Sequence, residues 1–115
     1  MLVSMRELLA DAEKNNYAVG GFNCPTLENV HGVMQAAEKE QVPVILSFPQ
    51  VHEKTVPLKV IGPILLQAAR DAKVPVCVHL DHGSTVAYVD EALRLGFNSV
   101  MYDGSKLSLA ENIRN

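Results

Sequence analysis

Residues Val76–Gly83 read VCVHLDHG, and the first five are apolar except for His79. A short apolar run without polar alternation is typical of a strand that is covered on both faces of a parallel sheet. Pro75 precedes this run, and a proline cannot continue a helix into it. We therefore predict a buried strand over residues 76–80, followed by a polar turn.

Similar apolar segments recur along the chain, and amphipathic segments separate them. The predicted strands begin near residues 18, 44, 76 and 98. Between them, apolar residues recur at helical spacing, as in residues 27–37 and 86–93. Apolar strands that alternate with amphipathic helices indicate a parallel sheet with right-handed crossovers. The predicted order is one N-terminal helix followed by β-α-β-α-β-α-β.

Short motifs mark the ends of the predicted helices. The S-x-x-E patterns at Ser4 and Ser108 are typical of a capping box, which begins a helix. Gly96 is predicted to close the helix that follows the third strand. Prolines interrupt the segment after the second strand. The next helix is therefore predicted to begin near Pro57 or, with a proline at its first position, at Pro63.

Two architectures fit this order: an open doubly wound sheet and an arc of a (β/α)8 barrel. The sequence has 115 residues, whereas a complete barrel needs about 250. The capping box at Ser108 announces a helix close to the last residue. We therefore expect residues 1–115 to be the N-terminal half of a barrel with an extra N-terminal helix and four βα units. A complete small domain is the alternative.

Composition excludes several functional classes. The 10 basic and 13 acidic residues give a net charge of −3 and are mixed along the chain, so no basic face is offered to nucleic acid or anionic lipid. A hydrophobic content of 48% excludes disorder. No apolar run approaches the roughly 18–20 residues of a membrane span. Without a predicted secretory signal, Cys24 and Cys77 are expected to be reduced thiols in a cytoplasmic protein.

Polar side chains collect at the carboxyl ends of the predicted strands, where parallel α/β folds bind their ligands. They are Asn23, Ser47, the cluster His79-Leu80-Asp81-His82-Gly83, which contains Asp81 and His82, and the turn Asp103-Gly104-Ser105. Gly83 allows a turn that brings Asp81 and His82 to one pocket. An imidazole is a natural zinc ligand, and a carboxylate beside the metal can act as a general base. Hydrogen bonding within the loops is the alternative for each of these residues.

One histidine cannot hold a catalytic zinc ion, because such a site needs about three protein ligands. His31 lies on a predicted helix and His52 in the proline-rich segment, and both are expected at the surface. The remaining ligands would then come from outside these 115 residues.

The sequence VHLDHG at residues 78–83, followed by SVMYDGS at residues 99–105, resembles the class II, zinc-dependent ketose-bisphosphate aldolases. GFN at residues 21–23 and PVIL at residues 43–46 match the family in the same order. The family includes fructose- and tagatose-1,6-bisphosphate aldolases. The resemblance implies a (β/α)8 barrel of more than twice this length, assembled as a homo-oligomer.

The resemblance also implies a role for each matched residue. Asp81 matches the general acid/base that exchanges a proton with the C4 hydroxyl of the ketose bisphosphate. His82 matches the first zinc ligand, and Asp103 matches an acid that in some members holds a second, non-catalytic metal position. The implied substrate-binding residues are Asn23, Ser47 and Ser105.

The implied reaction is the reversible cleavage of a ketose 1,6-bisphosphate to dihydroxyacetone phosphate and glyceraldehyde 3-phosphate. Zinc polarises the ketone in this chemistry. The sequence departs from the family at Pro49, where a Ser or Thr is usual, and at Thr26, where many members have Asn. Two other functions stay open: a non-catalytic half-barrel that associates with a partner, and a flavodoxin-like domain that binds an anion or nucleotide. The lack of a G-x-G-x-x-G motif counts against the last one.

Overall fold

Four parallel strands form one sheet in the computed structural model, which describes residues 1–115. The strands are β1 (Gly20–Asn23), β2 (Val44–Pro49), β3 (Val76–Gly83) and β4 (Ser99–Tyr102). The sheet order is β1-β2-β3-β4, so each strand pairs with its neighbour in sequence. A doubly wound sheet reverses its order at a switch point, whereas an arc of a barrel keeps the sequence order. The doubly wound alternative is therefore wrong, and the barrel arc is confirmed.

Five helices alternate with these strands. They are α1 (Met5–Asn15), α2 (Leu27–Glu40), α3 (Leu58–Asp71), α4 (Val86–Leu95) and α5 (Leu109–Arg114), with a 3-10 turn at Gln50–His52. Both predicted capping boxes are present, because Ser4 and Ser108 each accept a hydrogen bond from the backbone N–H three residues later. Gly96 ends α4 in the left-handed conformation, as predicted. None of the helices combines the length and the hydropathy that a membrane-spanning segment needs.

The start of α3 decides between the two predicted positions. The helix begins at Leu58, directly after Pro57, and Pro63 lies inside it. The backbone N–H of Leu58 donates to the Glu53 carboxylate at 2.8 Å, and this bond satisfies one of the free N–H groups of the first turn. Pro63 removes only one helical bond, and the buried face of the helix on both sides of it offsets that loss. The predicted start at Pro63 is therefore wrong.

The core lies between the helices and one face of the sheet. Alternate residues of β2 and β3 point into it and are almost completely buried, namely Val44, Leu46, Phe48, Val76, Val78 and Leu80. They pack against buried residues of α2, α3 and α4. Burial of each such side chain contributes about 1.5–3 kcal/mol. The residues between them point to the opposite face, which we call the inner face.

Candidate active site

The polar turn at the end of β3 is made by His82. Its φ is 53°, in the left-handed region, whereas Gly83 has no positive φ. A Cβ atom on Gly83 would lie 2.8 Å from Cγ2 of Val89 and 3.1 Å from the carbonyl oxygen of Met101. The expectation that Gly83 supplies the turn is therefore wrong. The glycine instead allows β3 to pass close to β4 and α4, and the strained conformation falls on His82, as is common at functional sites.

Three predicted site residues meet at this turn. Nδ1 of His82 lies 2.7 Å from Oδ2 of Asp103, and Nε2 lies 3.7 Å from Oδ1 of Asp81. The backbone N–H of Asp103 donates to the carbonyl of Gly83 at 2.8 Å, which fixes the end of β4 against the turn. The turn thus brings the side chains of Asp81, His82 and Asp103 together, with His82 lying between the two carboxylates and within 4 Å of each.

The carboxylates around His82 stabilise its charged form. The hydrogen bond with Asp103 and the charge of Asp81 raise the pKa of His82 above its ordinary value. Hydrogen bonds from Ser105 and His82 hold the pKa of Asp103 well below its usual range. One of them runs from the backbone N–H of Ser105 to Oδ1 of Asp103 at 3.0 Å. Ser105 thus orients Asp103, and Asp103 orients His82.

This arrangement suits one ligand of a zinc ion. A carboxylate that accepts the Nδ1–H of a histidine leaves Nε2 as the metal-binding nitrogen and fixes the orientation of the ring. His82 and Asp103 have this geometry. The 115 residues contain no group of three or more His, Cys, Asp or Glu side chains that could hold a metal ion. These residues therefore fit a zinc ion to which the chain donates one ligand, the imidazole of His82.

The His82–Asp103 pair forms no hydrogen bond or ion pair with His31, His52 or the two cysteines. His31 is exposed on α2, as expected, whereas His52 is half-buried in the 3-10 turn, with its ring centre 6.3 Å from that of Phe48. Cys24 and Cys77 are buried and unpaired, and burial raises the pKa of both thiols to about 11. Neither thiol is therefore a ready nucleophile or metal ligand.

The predicted substrate-binding residues occupy two places. Asn23 and Ser47 are paired in register on the inner face, Asn23 exposed and Ser47 buried. Pro49 pairs with Asp81, so Asn23 and Ser47 lie one layer below the catalytic candidate. Ser105 lies in the exposed loop after β4, beside Asp103. The structure thus brings Ser105 to the His82 pair and sets the other two deeper in the sheet.

Sequence reasoning missed two hydrogen bonds at the site. His79 lies on the inner face two residues before Asp81, and its Nδ1 is 2.7 Å from Oγ of Ser99. The alternation along β3 already set His79 on the face of Asp81, but its partner lies 20 residues away in sequence. The second lies in the segment after β2, where the Gln50 side chain accepts a hydrogen bond from the backbone N–H of Ser84 at 2.7 Å. This bond ties the rim after β2 to the turn after β3.

An apolar groove runs along the outer side of β1. It has a volume of about 800 Å³, and its walls include Tyr17, Phe22, Val33 and Val42. Phe22 is half exposed there, because β1 pairs with β2 on one side only. None of the predicted site residues lines this groove, which lies beside an open edge of the sheet.

A family model described as "Fructose-bisphosphate aldolase class-II" matches residues 3–115. The fructose-bisphosphate aldolase of Giardia intestinalis is 37% identical over 116 residues, and the alignment covers 98% of this chain and 35% of that protein. The sulfofructosephosphate aldolase of Alkalicoccus urumqiensis is 36% identical over 110 residues, with coverages of 96% and 38%.

Among solved structures, the YdjI aldolase from Escherichia coli K12 superimposes with a TM-score of 0.91 at 35% identity. The alignment covers 99% of this chain and 44% of the YdjI chain. A fructose-1,6-bisphosphate aldolase structure from Coccidioides immitis gives a TM-score of 0.85 at 27% identity. The chain thus spans less than half the length of the relatives that it matches.

Proposed function

The chain belongs to the class II fructose-bisphosphate aldolase family, and from this premise we propose that it is the N-terminal half of an enzyme that cleaves a ketose 1,6-bisphosphate. The substrate is fructose or tagatose 1,6-bisphosphate, and the products are dihydroxyacetone phosphate and glyceraldehyde 3-phosphate. The observation that carries the proposal is the 3.7 Å distance between Oδ1 of Asp81 and Nε2 of His82, whose other nitrogen is bonded to Asp103.

Asp81 acts as the general base in the cleavage direction. A carboxylate beside a metal-binding nitrogen, yet not itself needed as a ligand, is free to accept a proton. Asp81 takes the proton from the C4 hydroxyl as the bond between C3 and C4 breaks, and it returns a proton to that oxygen in the direction of synthesis. The carboxylate oxygen must then lie within about 2.6–3.2 Å of the hydroxyl.

His82 would hold the metal through Nε2, and Asp103 positions His82 through Nδ1. When bound, a zinc ion supplies Lewis-acid polarisation of the ketone oxygen. Asp103 itself is a candidate for a second metal position. Asn23, Ser47 and Ser105 bind the substrate, and Pro49 offers no hydroxyl where the family usually has one. The remaining zinc ligands and the phosphate site come from the rest of the barrel.

We further propose that residues 1–115 are βα units 1–4 and work only within a complete barrel. The open edge of β1 and the apolar groove beside it support this, because an unpaired parallel edge with exposed apolar side chains requires a cover. The covering half supplies its own strands and helices, and the enzyme is a homo-oligomer. Buried unpaired cysteines support a reducing compartment, the cytoplasm.

The test uses the complete barrel, that is, this chain together with the segment that completes it. Cleavage of fructose and tagatose 1,6-bisphosphate is followed through the release of dihydroxyacetone phosphate. We expect removal of the metal with EDTA to abolish turnover and added zinc to restore it. Asp81→Asn is expected to lower kcat by about 10²–10⁴-fold with an unchanged zinc content, whereas His82→Ala is expected to lower the zinc content as well.

The matched control is Asp90→Asn, which removes an exposed carboxylate that pairs with Arg94 on α4. It is expected to leave kcat unchanged. Full turnover by the Asp81→Asn variant would contradict the assigned base. A complete barrel that binds no zinc and cleaves neither sugar would favour the alternative, a non-catalytic half-barrel that serves only for association.

A further inference from the structure

A row of polar side chains crosses the inner face of the sheet. Asn23 pairs with Ser47, Ser47 pairs with His79, and His79 pairs with Ser99. These four residues occupy the same level of all four strands. In the layer below, Gly21, Ile45 and Cys77 pair in the same way and contain no strongly polar side chain.

This polarity departs from the usual filling of a barrel. The interior of a (β/α)8 barrel is filled mainly by branched apolar side chains in layers. Polar groups that are buried without hydrogen bonds destabilise a protein by several kcal/mol in unfavourable cases, so a polar layer needs polar partners. Here the polar layer lies next to the carboxyl ends of the strands, directly below Asp81.

His79 has one ring nitrogen that no residue of the chain satisfies. Its Nδ1 is bonded to Ser99, and Nε2 has no hydrogen-bond partner. No fully buried side-chain nitrogen or oxygen in the structure lacks a partner, so Nε2 is not fully buried. The opposite face of β3 is closed by Val78 and Leu80, which are fully buried. The free nitrogen is therefore reached from the inner face.

We propose that His79, held by Ser99, is a substrate-binding residue that donates or accepts a hydrogen bond to a hydroxyl group of a sugar-phosphate ligand beside Asp81. The proposal rests on the aldolase function proposed above and adds a substrate-binding contact to it. The neutral imidazole suits this role, because one nitrogen donates and the other accepts. Burial lowers the pKa of His79, against the smaller opposing effect of the Asp81 charge, and so favours the neutral ring.

The first experiment compares His79→Phe with wild type in the complete barrel. Phenylalanine keeps a ring of similar size and removes both nitrogens. Loss of a hydrogen bond to substrate is expected to raise KM about 10-fold, with kcat nearly unchanged, since the contact is made equally in the ground state and in the transition state. Ser99→Ala keeps the imidazole but removes the partner of its Nδ1, and we expect a smaller rise in KM of about 3-fold. The control is His31→Phe at an exposed position of α2, which is expected to leave both KM and kcat unchanged.

The second experiment needs no turnover. Long-range ¹H–¹⁵N spectra of the complete barrel report the protonation of each histidine ring, and a hexitol 1,6-bisphosphate serves as a non-cleavable ligand. The His79 ring is expected to be neutral at pH 7, and its Nε2 resonance is expected to shift when the ligand is added. This readout also serves if the His79→Phe variant does not fold.

The two proposals fail in different ways. If wild type cleaves ketose bisphosphates but the His79 and Ser99 variants keep its KM, and Nε2 does not shift, the inference about His79 is overturned and the aldolase function stands. If wild type cleaves neither sugar, the proposed function fails, and the Nε2 shift alone then decides whether His79 binds the hexitol bisphosphate.

Discussion

The glycine after His82 offers the sharpest test of how the site is built. An added Cβ at Gly83 would meet Cγ2 of Val89 at 2.8 Å and both Cδ2 of Leu80 and the carbonyl oxygen of Met101 at 3.1 Å. Contacts under 3.0 Å require a shift of the neighbouring atoms. Val89 is β-branched and stiff at χ1, Leu80 is fully buried, and the carbonyl of Met101 belongs to β4. Little can move to relieve the clash.

Gly83→Ala is therefore expected to destabilise the protein. Overpacking by one carbon typically costs about 1–3 kcal/mol, and because two of the three neighbours are a buried side chain and the backbone, we expect about 2 kcal/mol. With a urea m-value of about 2 kcal/mol/M, the unfolding midpoint falls by about 1 M. Relief by movement of β4 would displace Asp103, so zinc affinity should fall together with stability.

The matched control is Gly32→Ala on α2. A Cβ atom at that position meets nothing within 4 Å. Alanine in a helix interior is expected to stabilise the protein by about 0.5–1 kcal/mol relative to glycine. The assay is urea unfolding of the complete barrel, with zinc content measured on the same samples. An unchanged midpoint for Gly83→Ala, with the expected gain for Gly32→Ala, would refute the account of this turn.

Two further outcomes are expected. Because the pKa of His82 is raised on folding, its contribution to stability is fully present below the unfolded pKa of about 6.5 and is lost as pH rises through the folded pKa. Asp103→Asn should lower the NMR titration midpoint of His82 in the metal-free protein. An unchanged midpoint would contradict the hydrogen-bonded pair of His82 and Asp103. Leu65 is fully buried on α3, and Leu65→Ala should lower the free energy of unfolding in urea by about 2–5 kcal/mol. Val51 is 79% exposed, and Val51→Ala should lower it by less than about 0.5 kcal/mol. Equal effects of the two variants would contradict the described core.

The elements that sequence predicts correctly are those that local physics determines. The capping boxes at Ser4 and Ser108 involve residues three positions apart, so the motif contains its own partner. The central strands are predicted because both faces are covered, which leaves an apolar run. β1 is shorter than predicted, since it begins at Gly20, where pairing with Val44 begins. Tyr17 instead bonds back to α1 through its backbone N–H.

The features that sequence does not reveal depend on distant partners. The Glu53 carboxylate caps the first turn of α3 from the loop before it. This contact sets the start of the helix after Pro57 and not at Pro63, two positions that the sequence alone leaves equivalent. The left-handed conformation of His82 lies where the β3–β4 register shifts, between Leu80 and Gly83. Neither the shift nor the Asp103 contact follows from the spacing of residues within β3.

The half-barrel contains one part of the site that is already ordered, the turn at His82, and one part that is incomplete, the inner face of the sheet. The turn at His82 is already ordered by contacts within these 115 residues, since Asp103 and Gly83 fix it from β4 and β3. The inner face is not complete, because Nε2 of His79 has no partner. Under the proposed function, the chain brings a metal-binding nitrogen and a general base that are already in place. The rest of the barrel must then complete the metal coordination, and a ligand satisfies Nε2 of His79. The proposed catalysis is thus expected to depend on assembly of the barrel more than on local folding of the turn.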